Sequence, residues 1–156
     1  RVKLVQRAAN LSWPDIKLSN LVQHCGARHK QNLTVRNLLG EPQSEIHWLG
    51  FRGGLDVDGN TNAWGLLWRL GSGSTVFHIK SEYCNLYNSG IRPWLHYVPL
   101  KKDLSDFDEV TSLIHSTNLT IVKQLETIAA NSAAYVNHFK YNKVIESTVK
   151  QLHNIW

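Results

Sequence analysis

Leu55-Asp56-Val57-Asp58-Gly59-Asn60-Thr61-Asn62-Ala63-Trp64 is the stretch that most restricts what this chain can fold into. An apolar-alternating run ends at Asp-Gly, and a small polar cluster then opens into an apolar-periodic segment. That order predicts a strand, a tight turn and a helix start. The first N–H groups of a helix lack partners within it and face outward, at the positive end of its dipole. A strand that delivers the chain to such a start builds an anion site. Gly59 permits a sharp turn and the close approach of a ligand. Asn60, Thr61 and Asn62 either cap the helix or bond a ligand. The same residues also fit a plain strand-to-helix turn with an asparagine cap.

The rest of the chain alternates strand and helix signals around that turn. A short helix is expected from Val2 to Ala9, broken at Trp13-Pro14, because proline disfavours helix at the residue before it. Asp15–Leu18 alternates like a strand, residues 24–31 read as a loop, and residues 32–40 read as a helical turn ending at Gly40. Ser44-Glu45-Ile46 leads into a strand from Gly54 to Asp58. Ala63–Leu70 is a short apolar helix, and Gly71-Ser72-Gly73 ends it. Thr75–Ile79, β-branched and aromatic, is a buried strand. Glu82–Asn88 reads as a helical turn and Leu95–Leu100 as a further strand. Ser105 caps a helix that carries Phe107, Val110 and Leu113-Ile114. Asn118–Asn137 places Val122, Leu125, Ala129 and Val136 at helical spacing. A last helix, Tyr141–Ile155, stripes Ile145, Val149, Leu152 and Ile155-Trp156 on one face. Strands and helices alternating in this way imply an α/β fold with a parallel sheet and crossover helices, the final two helices packing around it or extending beyond it. One domain is expected over residues 1–156, and it reads as half of something larger.

Composition bounds the function classes. Of 156 residues, 42% are hydrophobic and 19% charged, which are globular values. No run approaches the ~20 apolar residues of a membrane span. No charged-then-apolar leader opens the chain, and methionine is absent throughout, so a fragment or a mature portion is expected. The charge of +5 is spread out, with Lys101-Lys102 the tightest pair, which fits a solvated basic surface better than a nucleic-acid interface. Cys25 and Cys84 stand far apart with no C-x-x-C, so reduced thiols are expected rather than a disulfide framework or a zinc ribbon. Sequons stand at Asn10, Asn32 and Asn118; with this much Asn, Ser and Thr about one or two are expected by chance, so they do not establish secretion.

Three segments in order carry a family resemblance. They are Asp58-Gly59-Asn60-Thr61-Asn62-Ala63-Trp64, then Gly73-Ser74-Thr75-Val76-Phe77, then Pro93-Trp94-Leu95-His96-Tyr97-Val98-Pro99. No one of them is specific alone, but the ordered set resembles glycosyl transferase family 90. That family includes fungal capsule-associated proteins, Rumi-type protein O-glucosyltransferases and bacterial lipopolysaccharide-modifying relatives. The form Asp58 to Ser74 looks most like the bacterial branch. The resemblance is clear from about Leu55 to Asp106. It implies a Rossmann-like sheet that is the C-terminal, donor-binding half of an inverting GT-B-type enzyme, with a UDP-sugar as donor. It also implies no separate cofactor and no metal, since dipoles and basic groups offset the leaving diphosphate.

Carried over, the resemblance assigns the donor site to Asp58, Gly59, Asn60, Thr61, Asn62, Ala63 and Trp64, with the diphosphate on the amides of residues 60–63. Asp58 either bonds a sugar or caps the helix. Many eukaryotic members carry arginine directly after the aromatic that matches Trp64, whereas this chain has Gly65. Arg69, one turn later, is then a candidate for the phosphate charge, alongside Arg1, Arg52 or a residue elsewhere. The family's general base resembles an aspartate of the N-terminal half, and no counterpart is visible here. Asp103, Asp106 and Asp108 read as dipole-compensating acids. His96 reads as a packed strand histidine, His138 and His153 as helix-surface residues, and His24, His29 and His47 lack metal-ligand spacing. Trp48, Trp68 and Trp94 sit in apolar settings and read as core.

The expected partners are a nucleotide-sugar, a saccharide or glycolipid acceptor such as lipopolysaccharide or capsule, and a missing N-terminal domain, without nucleic acid. A cytoplasmic location, peripheral at the inner membrane face, follows the bacterial form; the endoplasmic reticulum lumen follows the eukaryotic one. Two rivals remain. One is a catalytically silent nucleotide- or sugar-binding module, and the other a basic nucleic-acid-binding domain, which salt-sensitive oligonucleotide binding would reveal.

Overall fold

The computed structural model describes residues 1–11, 16–18, 38–59, 61–83 and 87–153, with Leu152 described by its backbone. The readings of Trp13-Pro14, of residues 24–31, of both cysteines, of Asn60 and of Ile155-Trp156 lie outside the described residues. Backbone contacts divide the chain into two compact units, residues 1–48 and 49–156.

The first unit is built on helix α1, Val2–Ala8, which buries Leu4, Val5 and Ala8. Val5 packs with Leu38, and Val2, Ile16, Leu18 and Leu39 close around them. That apolar demand decides the conformation of residues 38–40. Leu18 and Leu39 form a parallel bridge, the Leu18 N–H donating to the Leu38 carbonyl and the Gly40 N–H to the Leu18 carbonyl. Gly40 therefore follows a bridge residue, its N–H committed to the Leu18 carbonyl, where a helix cap was expected. Ser44-Glu45-Ile46 does not run straight into a strand either. The Ser44 hydroxyl accepts the His47 N–H at 3.3 Å, at the start of a single helical turn, α2, Glu45–Trp48.

In the second unit β1 (Gly53–Asp56), β2 (Thr75–Ile79) and β3 (Val98–Leu100) form one parallel sheet in the order β1-β2-β3. Register pairs Asp56 with His78 and Phe77 with Val98. The α/β expectation is met, and β2 has the bounds that its residue types imply. Thr75, Val76, Phe77 and His78 are all buried, as a central parallel strand requires. β1 stops at Asp56, two residues early. β3 is shorter than expected, because Trp94–His96 form a turn held by the Trp94 N–H on the Tyr97 carbonyl at 2.7 Å.

Helix α3, Leu66–Leu70, joins β1 to β2 and sends Leu66 and Leu70 into a core with Val76 and Tyr97. Helix α4, Phe107–Ser112, starts behind Asp106, not Ser105; the Ser105 N–H goes to the Asp103 carboxylate, and the Asp106 carboxylate accepts the Lys101 N–H. Helix α5, Leu119–Val136, is capped by Asn118, whose side chain accepts the Thr120 N–H at 2.9 Å. It buries Leu125, Ile128, Ala129 and Ser132. The Thr75 hydroxyl donates to the Leu125 carbonyl at 3.2 Å and ties α5 to β2. Each large apolar side chain so buried contributes about 1.5–3 kcal/mol. Helix α6, Tyr141–His153, follows a short 3-10 turn and leaves Tyr141, Ile145 and Val149 exposed to solvent. Among the described residues no helix is long and apolar enough to cross a membrane.

Candidate functional site

In a parallel sheet every strand ends on the same edge, and ligands of open α/β sheets bind outside that carboxyl edge. The edge here carries residues 57–59 and 61–65 after β1, Lys80 after β2, and Lys101 and Lys102 after β3. Lys102 reaches across to Glu82 at 2.5 Å, an exposed pair.

The turn after β1 differs in detail from the expected helix start. The helix begins at Leu66, with Gly65 as its cap, and runs for 5 residues. The Ala63 N–H donates to the Asp58 carboxylate at 2.9 Å, and the Gly59 N–H donates to the Thr61 carbonyl at 2.9 Å. Asp58 therefore braces the turn through Ala63. The Ala63 amide, expected to face a diphosphate, is already satisfied. Thr61 is exposed, Asn62 is partly so, and Ala63 is buried. Trp64 stands 86% exposed, an unusual position for the largest side chain. The structure thus gathers Asp58, Gly59, Thr61, Asn62, Ala63 and Trp64 on one turn at the carboxyl edge.

Beneath that turn lies a polar cluster that the sequence reading missed. Asp56, the last residue of β1, has no solvent exposure. Its Oδ1 accepts Arg69 Nη1 at 2.7 Å, and its Oδ2 faces His78 Nδ1 at 3.0 Å on the neighbouring strand. His78 is buried, with Tyr97 edge-on to its ring at 4.9 Å. A buried carboxylate must be answered by donors, and these two answer both oxygens. The Arg69 side chain is 30% exposed and lies beside the Trp68 ring at 5.2 Å. Its guanidinium passes directly over Gly65, where an added Cβ would collide with Nη1 and Cζ. Asp56 opposite His78, two polar residues within otherwise apolar strands, is the signal that could have revealed the cluster.

Several aromatic and histidine readings are corrected. Trp48 and Trp94 are 41% and 47% exposed, so neither is core. Trp94 holds a left-handed backbone at φ 61°, uncommon for a bulky residue, within the turn that precedes β3. His96 belongs to the same turn rather than to β3, and its Nδ1 accepts the Arg92 N–H at 3.0 Å. Burial, and secondarily the charge of Arg92, lower its pKa below the ordinary value. His138 and His153 are exposed, as expected of helix-surface residues. Asp106 and Asp108 stand at the start of α4, where carboxylates favour the helix. Among the described residues no three His, Cys, Asp or Glu side chains converge as a metal site.

The family model for glycosyl transferase family 90 matches residues 40–154, a span that takes in the sheet and the turn after β1. Protein O-glucosyltransferase 2 of Danio rerio is 31% identical over 110 residues, 70% of this chain and 21% of that protein. Protein O-glucosyltransferase 1 of Rattus norvegicus is 37% identical over 46 residues, 30% of this chain and 12% of that protein. Its counterpart in Bos taurus is 29% identical over 73 residues, 46% of this chain and 18% of that protein. The matches thus span 12% to 21% of the length of these relatives. All three are animal proteins, and none speaks for the bacterial branch.

Proposed function

The chain belongs to glycosyl transferase family 90, and from that premise we propose that it forms the donor-binding part of a two-domain, GT-B-type glycosyltransferase. The observation that carries this reading is the turn described by residues 57–59 and 61–65. It lies at the carboxyl edge of a parallel sheet, within the matched span. In this reading a UDP-sugar lies along that edge, with its diphosphate near Thr61, Asn62 and Arg69 and an aromatic ring of the donor against Trp64. The acceptor hydroxyl attacks the anomeric carbon, its proton passes to a base, and the bond from that carbon to the β-phosphate oxygen breaks with inversion. UDP leaves with both phosphates. The base belongs to another part of the enzyme, since Asp56 is spent on Arg69 and His78, and Asp58 on the Ala63 amide. The reaction needs no separate cofactor.

Two acceptor classes follow from different observations. The form of the Asp58–Ser74 segment favours a saccharide or glycolipid such as lipopolysaccharide or capsule, with the enzyme peripheral to the inner membrane face. The relatives, protein O-glucosyltransferases by name, favour a protein hydroxyl, and with it the endoplasmic reticulum lumen. We favour the protein hydroxyl, because it rests on matched sequence over 70% of the chain.

Titration with UDP tests the donor site. Trp64 is so exposed that Trp64→Ala leaves the fold intact, and it is expected to weaken UDP binding about tenfold, in the range of one lost aromatic stack. Gly59→Val, which crowds the backbone at the turn, is expected to do the same or more. Equal affinity in the wild type and both variants would remove the site from this turn.

A further inference from the structure

The buried Asp56 is an expensive way to hold a helix to a strand. An ionised carboxylate with no solvent contact gains little over well-packed apolar residues of the same volume. What it does gain is orientation. Arginine has a long side chain with many rotamers, and on an exposed turn its guanidinium would sample many positions. Here three contacts leave it one. Nη1 is fixed on Asp56 Oδ1 at 2.7 Å, the Trp68 ring lies 5.2 Å from Cζ, and the missing side chain of Gly65 leaves the gap through which it passes. Asp56 is itself fixed by His78 Nδ1 on its other oxygen at 3.0 Å. The head group is held at one nitrogen while the side chain stays 30% exposed. A guanidinium has five N–H donors, so four remain after Nη1 gives one to Asp56. They lie beside the turn that carries Trp64.

Resting on the donor-site reading above, we infer that Asp56 and His78 are positioning residues for phosphate. They lock the Arg69 guanidinium over Gly65, at the edge of the turn after β1, and its remaining donors meet the diphosphate of the nucleotide. Planar donors held in advance suit phosphate oxygens, which accept in pairs, and holding them in advance lowers the ordering cost of binding. Gly65 belongs to the same device. Any side chain at residue 65 would push the guanidinium off Asp56, because the two nearest obstructing atoms are the mobile end of Arg69, with Trp68 Nε1 next and no backbone among them. Gly65 has φ −81° and ψ −4°, an ordinary helical conformation, so alanine fits the backbone there.

Two nucleotide probes separate a phosphate effect from a general one. UDP and uridine are titrated into the wild type, Asp56→Asn, Gly65→Ala, Arg69→Gln and the double variant Asp56→Asn/Arg69→Gln, each checked for a cooperative melt. UDP affinity is expected to fall about tenfold in each single variant, while uridine affinity holds. In the Arg69→Gln background, Asp56→Asn is expected to add no further loss. Gly65→Ala reaches the same contact without touching the buried carboxylate, so it decides the matter if Asp56→Asn fails to fold. The nitrogen-15 spectrum of the Arg69 side chain, recorded without ligand, is expected to show restricted Nη rotation in the wild type and free rotation in Gly65→Ala. UDP affinity unchanged in Gly65→Ala and Arg69→Gln, or an additive loss in the double variant, overturns the inference and leaves the donor reading standing. A wild type that binds neither UDP nor uridine overturns the donor reading and the inference with it.

Discussion

Asp56 has two partners, and the difference between them matters. His78 is buried with it, whereas Arg69 leads outward to the turn. The pair therefore couples the interior of the sheet to the residues most exposed at its edge. None of this was legible from single positions. Asp58-Gly59 advertises a turn by residue type, and the turn is there. Asp56 and His78 acquire meaning only when strand register sets them side by side, and register is a tertiary fact. The reverse error befell Trp48 and Trp94, where apolar neighbours in sequence suggested burial that the fold does not supply. His96 offers a test at this scale. Burial and the Arg92 charge lower its pKa, so the unfolded chain takes up this proton at higher pH than the folded one. Its contribution is unpenalised above the ordinary value of 6.5, and stability falls as pH drops from there toward the lowered folded value. Melting temperature measured downward from about pH 7.5 to about pH 5 is expected to decline in the wild type and to decline less in His96→Gln. Parallel curves would exclude His96 as the source.

Elements were easier to read than residues wherever one periodicity ran long enough. Thr75–Ile79 and Leu119–Val136 stand where their patterns put them, the first because β-branched and aromatic side chains suit a buried strand, the second through an asparagine cap and a helical stripe. Short elements were mislaid. Leu38–Gly40 followed their tertiary partners instead of a turn signal, and α3 starts at Leu66, three residues after the Ala63 expected to open it. The final helix was legible as amphipathic, and three of its apolar residues stay exposed. Tyr141 is 77% exposed, Ile145 44% and Val149 45%. Such a stripe is costly in water and promotes association. The chain alone is expected to bind a hydrophobic dye or to self-associate in sedimentation. Ile145→Asp/Val149→Asp is expected to abolish both while shifting the melting temperature little, since neither side chain is core. A dye-free monomer in the wild type would show that the stripe is covered in solution.

At the scale of the molecule, the parallel sheet concentrates polar chemistry on one edge. Its carboxyl edge holds the turn after β1, Arg69 on its buried anchor, and the lysines that follow β2 and β3. The other end of β3 holds the turn of Trp94 and His96. A nucleotide-sugar site on the first edge is the central claim, and the two edges give it a sharp alternative. Titration of UDP into the nitrogen-15-labelled chain, followed by backbone amide and arginine side-chain shifts, reads both edges in one experiment. The largest shifts are expected at residues 57–65, with smaller ones at Lys80 and Lys101 and at the Arg69 side chain, and no change at Trp94–His96. Shifts confined to Trp94–His96, or none at saturating UDP, would contradict it.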